Sequence, residues 1–304
     1  MKKQAGFTLI ELMISIGLGL IIVASALMLF LSGQRNVAVQ KSAADLQNDQ
    51  NFGLNYIAKN IRQANLNSPS ASLSSTSNLS GIVFSAANIS DKVTLDTNFA
   101  TKFVTANFGA SNMRIKNGTS YADAVNDQLV IQYRPSEIGG YDCSGQRIDR
   151  TDIYILERYF IRTDTNGGGA DAERSALACA SSRYAAGLTT ATALESTSTS
   201  GLYGSGEIIM KRVDLFRVRF LVDGKRYMTV AQYNASTAKP RILAIQLGII
   251  ARAPDKSGER SISTAQEFTL LGQTFTQKTD FPNRYLRVPI MQTVALRNAL
   301  GDRS

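Results

Sequence analysis

A single carboxylate sits where the sequence gives it least support. Gly6 is followed by Phe7-Thr8-Leu9-Ile10-Glu11-Leu12, and from Leu12 to Leu31 no residue carries a charge. A carboxylate at the head of an apolar helix is costly to desolvate and is seldom left without a partner, so Glu11 is a candidate for function. The other reactive side chains are few. There are two cysteines, Cys143 and Cys179, and no histidine, which excludes histidine-based triads, histidine general bases and His-ligated zinc. Neither cysteine has a second cysteine at metal-binding spacing. Asp164, Asn166, Asp171 and Glu173 are oxygen donors of the kind calcium takes. Their spacing misses the common Asp-x-Asn-x-Asn-Gly loop, which favours an empty glycine-rich hairpin over calcium. No Gly-Lys-Ser/Thr phosphate loop and no dinucleotide fingerprint occurs.

The elements that must position these residues follow from periodicity. Twenty apolar residues rising about 1.5 Å each make a helix of roughly 30 Å, enough to cross a bilayer. Lys2 and Lys3 would hold its start in the cytoplasm and place residues 33 to 304 outside. An ordinary secretory signal competes, because Ala24-Ser25-Ala26 fits a small-x-small cleavage site. Cutting there would expose Leu27, Met28, Leu29, Phe30 and Leu31, and it gives Glu11 no purpose. Past the apolar run, Ala43, Leu46, Gln50, Leu54, Ile57, Ile61 and Ala64 recur at three- and four-residue steps. The helix is therefore expected from Phe7 to about Asn65. Gly17, Gly19 and Gly53 are points of local weakness, each by about 1 kcal/mol relative to alanine. Asn67-Ser68-Pro69-Ser70 ends it, and the serine-rich tract to Ser80 reads as a loop.

Beyond residue 80 the pattern turns to strands, expected at residues 81–85, 92–96, 128–134, 152–162, 213–222, 227–232, 241–252 and 267–271. Asp223-Gly224 marks a tight hairpin, and the run from Ile242 to Ile250 marks a central buried strand. Residues 163–170 and 185–206 read as loops. The fold class is α+β, a long N-terminal helix packed on a mostly antiparallel β-sheet. For a segment facing an oxidising compartment, an even cysteine count favours one Cys143 to Cys179 disulfide over two buried thiols. The net charge is +9, two of it on Lys2 and Lys3. Arg217 and Arg219 alternate with Phe216, Val218 and Phe220 and so share the strand face opposite the apolar one, with Lys225 and Arg226 just beyond the turn. This cluster has too few aromatics for a nucleic-acid platform, and a solvated basic face is the favoured reading.

The order basic leader, Gly6, Phe7, Glu11 and apolar run resembles a type IV prepilin. The resemblance implies four segments: a leader, 1–6; a transmembrane and filament-core helix, 7–32; its amphipathic continuation, 33–66; and an exported β-rich domain, 67–304. It implies cleavage between Gly6 and Phe7 by a prepilin peptidase, N-methylation of Phe7, and a role for Glu11 in drawing subunits together. Gly206-Glu207-Ile208-Ile209 leading into Val213 to Phe220 and Asp223-Gly224, and the segment Tyr285-Leu286-Arg287 through Thr293 to Asn298, are similar to PilW-type minor pilins. Residues 67–205 match little. Chain length favours that group over the related J-type pseudopilins of type II secretion.

What this resemblance implies is a structural subunit and not an enzyme. It would reside first in the inner membrane with its domain in the periplasm, then at a pilus tip, in a complex that primes assembly for twitching, adhesion and DNA uptake. Its partners would be other minor pilins and a large tip adhesin, without direct nucleic-acid binding and without a cofactor. A tip adhesin or DNA receptor is the competing role.

Overall fold

Thr8 opens the long helix α1, Leu9–Ile61, for a local reason. Its backbone is extended, its hydroxyl accepts the Glu11 amide, and the Glu11 carboxylate accepts the Thr8 amide, which satisfies two donors a helix start would otherwise leave bare. The helix runs unbroken for 53 residues through Gly17, Gly19 and Gly53. It ends where Asn65 and Asn67 take left-handed backbone angles, at φ 65° and 51°. This computed structural model describes residues 8–196, 201–256, 266–279 and 285–299.

The strands in chain order are β1 (Val93–Thr94), β2 (Ala106–Asn117), β3 (Ser120–Tyr133), β4 (Ile153–Thr163), β5 (Ser175–Ala185), β6 (Thr192–Ala193), β7 (Glu195–Ser196) and β8 (Glu207–Lys211). They continue as β9 (Val213–Val222), β10 (Arg226–Thr229), β11 (Ile242–Lys256), β12 (Glu267–Leu270), β13 (Gln273–Gln277) and β14 (Tyr285–Ala295). Two short helices interrupt them, α2 (Phe99–Lys102) and α3 (Val230–Ala235). One sheet has the order β10-β9-β11-β14. A larger one runs β12-β13-β2-β3-β4-β5-β7, with β8 also on β5. Every pairing in these two sheets is antiparallel, and only the small β1 and β6 pair is parallel. The architecture is thus a long apolar helix against mostly antiparallel sheets.

Alternation explains how β9 and β11 serve two cores. Phe216, Val218 and Phe220 with Ile245, Leu247 and Ile249 join the main core, together with Leu46, Leu54, Ile57 and Ile61 of α1. Leu215 and Ile250, on the opposite face, pack with Met113, Phe268, Leu271 and Phe275 of the larger sheet. Gly248 lies at the centre of that second contact. A Cβ there would stand 2.8 Å from Leu271 Cγ and 2.9 Å from Leu270 Cγ, so only glycine lets the Leu270 to Leu271 turn seat on β11.

Several strand expectations change. Residues 81–85 form no strand, only the single bridge Ile82 to Ile131. The 92–96 segment contracts to β1. At 227–232 the strand stops at Thr229, whose hydroxyl accepts the Gln232 amide while Gln232 returns a bond to the Thr229 amide, starting α3 instead. The serine-rich loop is held from one point. Asn88 Nδ2 donates to the carbonyls of Ser74, Ser75 and Ser77, and its Oδ1 accepts the Phe84 and Ser85 amides.

Candidate functional site

Gly6 and Phe7 lie outside the described residues. Glu11 is described, and its partner is near in sequence. Oε2 accepts the Thr8 amide at 2.9 Å and the Thr8 hydroxyl at 2.8 Å, while Ser15 Oγ donates to the Glu11 carbonyl at 2.7 Å. The spacing Thr8-x-x-Glu11 is itself a capping-box signature, so the carboxylate has a partner three residues away. Thr8 therefore orients the Glu11 carboxylate toward the helix start. Every residue from Thr8 to Lys41 is exposed. Among the described residues α1 is the one helix long and apolar enough to span a membrane.

The second half of α1 is fixed to the sheets by polar ties as well as by its apolar stripe. Gln50 Nε2 donates to the Val288 carbonyl of β14 at 3.3 Å, and Asp49 pairs with Arg212 at 2.8 Å. At the helix end, Asn298 Nδ2 donates to the carbonyls of Arg62 and Ala64, and the buried Asn65 returns a bond to the Asn298 carbonyl at 3.1 Å. Asn65 also donates to the Ser70 carbonyl and accepts the Gly81 amide.

The basic cluster does not form a surface. Arg217 is buried, because the face opposite the apolar one is covered by the larger sheet and not by water. Its guanidinium stands 3.3 Å from Asp127, which also accepts the Val218 amide at 2.7 Å and the Asn107 side chain at 2.7 Å. Burial pushes the Asp127 carboxyl up to about 6 in spite of Arg217. Arg219 donates to Gln246 and to the Leu271 carbonyl and stacks on the Tyr227 ring, 4.2 Å from its centre. Lys225 and Arg226 are left exposed on the hairpin. A second buried cluster joins the sheets at Asp214, which meets Arg287 at 2.8 Å, Arg252 at 3.5 Å and the Asn112 side chain at 2.8 Å.

Of the calcium donors, Asp164 already has a cationic partner. Asp164 pairs with Lys211 at 3.1 Å and accepts the Asn166 amide, while Asp171 and Glu173 belong to the helical turn Asp171–Arg174. Among the described residues no three acid, cysteine or histidine side chains converge on a possible metal position.

Cys143 and Cys179 are joined across 36 residues with Cα atoms 6.0 Å apart. The bond attaches the loop after β3 to the middle of β5. Two buried acids hold the same loop. Asp142 meets Arg183 at 2.9 Å and accepts the Ser181 hydroxyl, and its other oxygen accepts the Ser144 and Gln146 amides. Glu157 has no exposed surface and accepts the Cys143 amide at 2.9 Å and the hydroxyls of Tyr159 at 2.6 Å and Tyr133 at 3.1 Å. Desolvation first, with the neighbouring Asp142 charge, pushes its carboxyl up to about 7. Asp127, Asp214 and Glu157 escape sequence reading. Each is made a buried acid by strand register, and isolated acids in strands give no sign of that.

Comparison with known proteins gives two family matches on this one chain. Residues 1–27 match the prokaryotic N-terminal methylation motif, and residues 158–298 match the model described as PilW, type IV pilus-assembly protein W. No curated protein matches. Among solved structures, the type IV-like pilin TTHA1219 from Thermus thermophilus is similar at 12% identity with a TM-score of 0.28, over 63% of this chain and 85% of that one. That likeness is too loose to carry an argument, and the two family models stand without it. A methylation motif heading an apolar helix, together with the PilW match over residues 158–298, supports a PilW-type, type IV pilin-like minor pilin.

Proposed function

We propose that this chain is a minor subunit of a type IV pilus that joins other minor pilins in a small tip complex priming polymerisation, and that Glu11 is the residue through which it is recruited. The leader ends at Gly6, Phe7 becomes the methylated terminus, the helix waits in the inner membrane with the β-rich domain in the periplasm, and the assembled subunit stands at the pilus tip. The carrying observation is a helix whose first half is exposed throughout while the one carboxylate of that half points back to the helix start. An isolated carboxylate in lipid is costly, and the amine of an incoming subunit would neutralise it. Thr8 then acts as a placeholder, holding Glu11 in the orientation that an approaching amine needs.

The test is Glu11→Ala in the native host. Leader cleavage and membrane insertion should be unchanged, while co-purification with the other minor pilins and the number of surface pili should fall. Removing one member of a buried ion pair costs roughly 3–5 kcal/mol, enough to deplete the complex. Full piliation and co-purification in the Glu11→Ala strain would overturn the proposal.

A further inference from the structure

One end of the four-stranded sheet carries charge that its surroundings do not balance. Three stretches of sequence, residues 50–90, 224–254 and 281–301, contain no aspartate or glutamate. Folding brings parts of all three together at the end of α1 opposite Thr8. Asn298 donates to the Arg62 carbonyl, Arg241 to the Ala299 carbonyl, Ile242 to the Leu73 carbonyl and Leu296 to the Leu243 carbonyl. Because neighbouring strands are antiparallel, β10 starts, β9 stops, β11 starts and β14 stops along this one edge. Arg226, Arg241 and Arg297 therefore stand at the ends of β10, β11 and β14, across roughly 14 Å at the usual strand spacing. Lys225 lies in the turn beside Arg226, and Arg62 lies beyond Arg297.

Two features set this edge apart from the rest of the surface. The first is missing counter-charge. Elsewhere the buried arginines meet acids, Arg217 at Asp127, Arg252 and Arg287 at Asp214, and Arg183 at Asp142. Here Arg62, Lys225, Arg226 and Arg297 are exposed, and their side chains have no ion pair among the described residues. Arg241 donates to the Ala299 carbonyl and Lys239 to the Tyr233 and Asn234 carbonyls, which positions both side chains and neutralises neither. Asp223 is the one acid in the row. Like charges gathered this way repel one another, and a polyanion removes that cost. The second feature is a lack of exposed apolar area. Among the described residues the large apolar side chain exposed at this edge is Tyr227, and Arg219 stacks on its ring.

Together these features select among anionic partners. A second copy of the chain would bring the same charge and be repelled. A stable protein interface needs a desolvated apolar centre, and a single strand of nucleic acid needs aromatic platforms for its bases; the edge has neither. The apolar half of α1, the part able to cross a bilayer, lies at the opposite end of a helix about 80 Å long. What fits is a stiff polyanion held through its charges alone. Arginine supplies most of the row, and its planar fork matches phosphate. Ser72, exposed beside the Leu73 to Ile242 contact, adds a hydroxyl of the kind that accompanies cations at phosphates. We infer that this edge binds the phosphate backbone of a DNA duplex without regard to sequence. The expectation of no direct nucleic-acid binding rests on the cluster from Arg217 to Arg226 alone. Folding turns Arg217 and Arg219 to other partners and brings in Arg62, Arg241 and Arg297 from distant segments. The inference does not depend on Glu11 or on assembly.

The experiment uses the full chain in dodecyl maltoside, an uncharged detergent, with a fluorescein-labelled duplex of about 30 base pairs as probe. Anisotropy titrations at about 50 mM salt should give micromolar affinity, alike for two unrelated sequences, with a slope of log K against log salt of about −4. Arg226→Ala combined with Arg297→Ala, both at exposed positions, should weaken binding at least about tenfold and make the slope shallower by about 2. Lys41→Ala combined with Arg147→Ala removes the same charge from exposed positions off the edge and should leave affinity and slope as they are. Absence of binding up to roughly 100 μM protein, the weak limit of non-specific DNA affinity, would overturn the inference. So would equal losses in the two double variants, which would mean attraction to net charge and not to this edge. Displacement of the duplex by polyglutamate or alginate at a lower concentration of charge would overturn it too, in favour of a carboxylate polymer.

Discussion

The two halves of α1 are one helix in two environments. From Thr8 to Lys41 every side chain is exposed and apolar residues encircle the axis, so no face is preferred. From Ser42 onward the buried positions Leu46, Gln50, Leu54, Ile57 and Ile61 form one stripe against the sheets. Continuity is therefore not a product of tertiary packing, which the first half lacks in the isolated chain. It comes from residues that favour helix and from the cap at Thr8. The contrast shows that uniform and one-sided hydrophobicity assign different surroundings to segments with the same backbone.

The sharpest way to break the contrast is to cut matched apolar side chains. Ile57→Ala should destabilise the folded domain by about 2–5 kcal/mol, as for buried Ile or Leu to Ala changes generally. Leu20→Ala should change it by less than about 0.5 kcal/mol, as at a position outside the packed core. Urea unfolding of both variants in detergent decides the matter, and equal losses would mean that the first half also packs on the sheets.

The second contrast is between the buried acids Glu157 and Asp127 and the exposed half of α1. The folded-state carboxyl of Glu157 lies at about 7, above its ordinary 4.5, so the folded protein binds the proton more tightly than the unfolded one. Its contribution is fully present below pH 4.5 and is lost as pH rises toward 7, a decline on the order of 3 kcal/mol. Asp127, raised to about 6, adds a loss of the same sign at lower pH. Glu157→Gln should flatten the upper part of the stability curve. Denaturation midpoints at pH 5 and pH 8 measure this, and an unchanged slope in Glu157→Gln would refute the assignment.

The smallest effect concerns the glycines. Alanine at Gly17 meets nothing within 4 Å, whereas a Cβ at Gly53 would stand 2.4 Å from the Met210 methyl. Gly17→Ala should slow local amide exchange about fivefold, as expected for about 1 kcal/mol of helix propensity. Gly53→Ala should gain nothing, because Met210 must move aside. A gain equal to that of Gly17→Ala would mean that the helix is held more loosely against β8 than described.

Much of this organisation was legible in the sequence, unevenly so. The α1 stripe reads directly from three- and four-residue steps, the run from Ile242 to Ile250 reads as the interior strand it is, and two cysteines on a domain expected to face an oxidising compartment read as a bond. Strand β5, Ser-Ala-Leu-Ala-Cys-Ala-Ser-Ser-Arg-Tyr-Ala, does not, because its small residues have little strand preference and are there to be covered closely. The polar, twice-bulged β2 and the Pro289-bearing β14 are hidden for related reasons. Arg217 shows the limit for a site. Alternation correctly separates its face from that of Phe216, but whether a face meets water or a second sheet depends on strands almost a hundred residues away.

The paired amides of Asn65 and Asn298 have a consequence in time. The carbonyls of Arg62 and Ala64 find their side-chain partner 236 and 234 positions later. A ribosome delivers those positions in order, so the end of α1 is complete long before the residue that latches it exists. Through that interval its apolar stripe has no permanent neighbour, and β11 and β14, which cover it, also come late. The nascent chain therefore spends most of its synthesis with its longest element made and unsecured, because the residue that latches it lies near position 300.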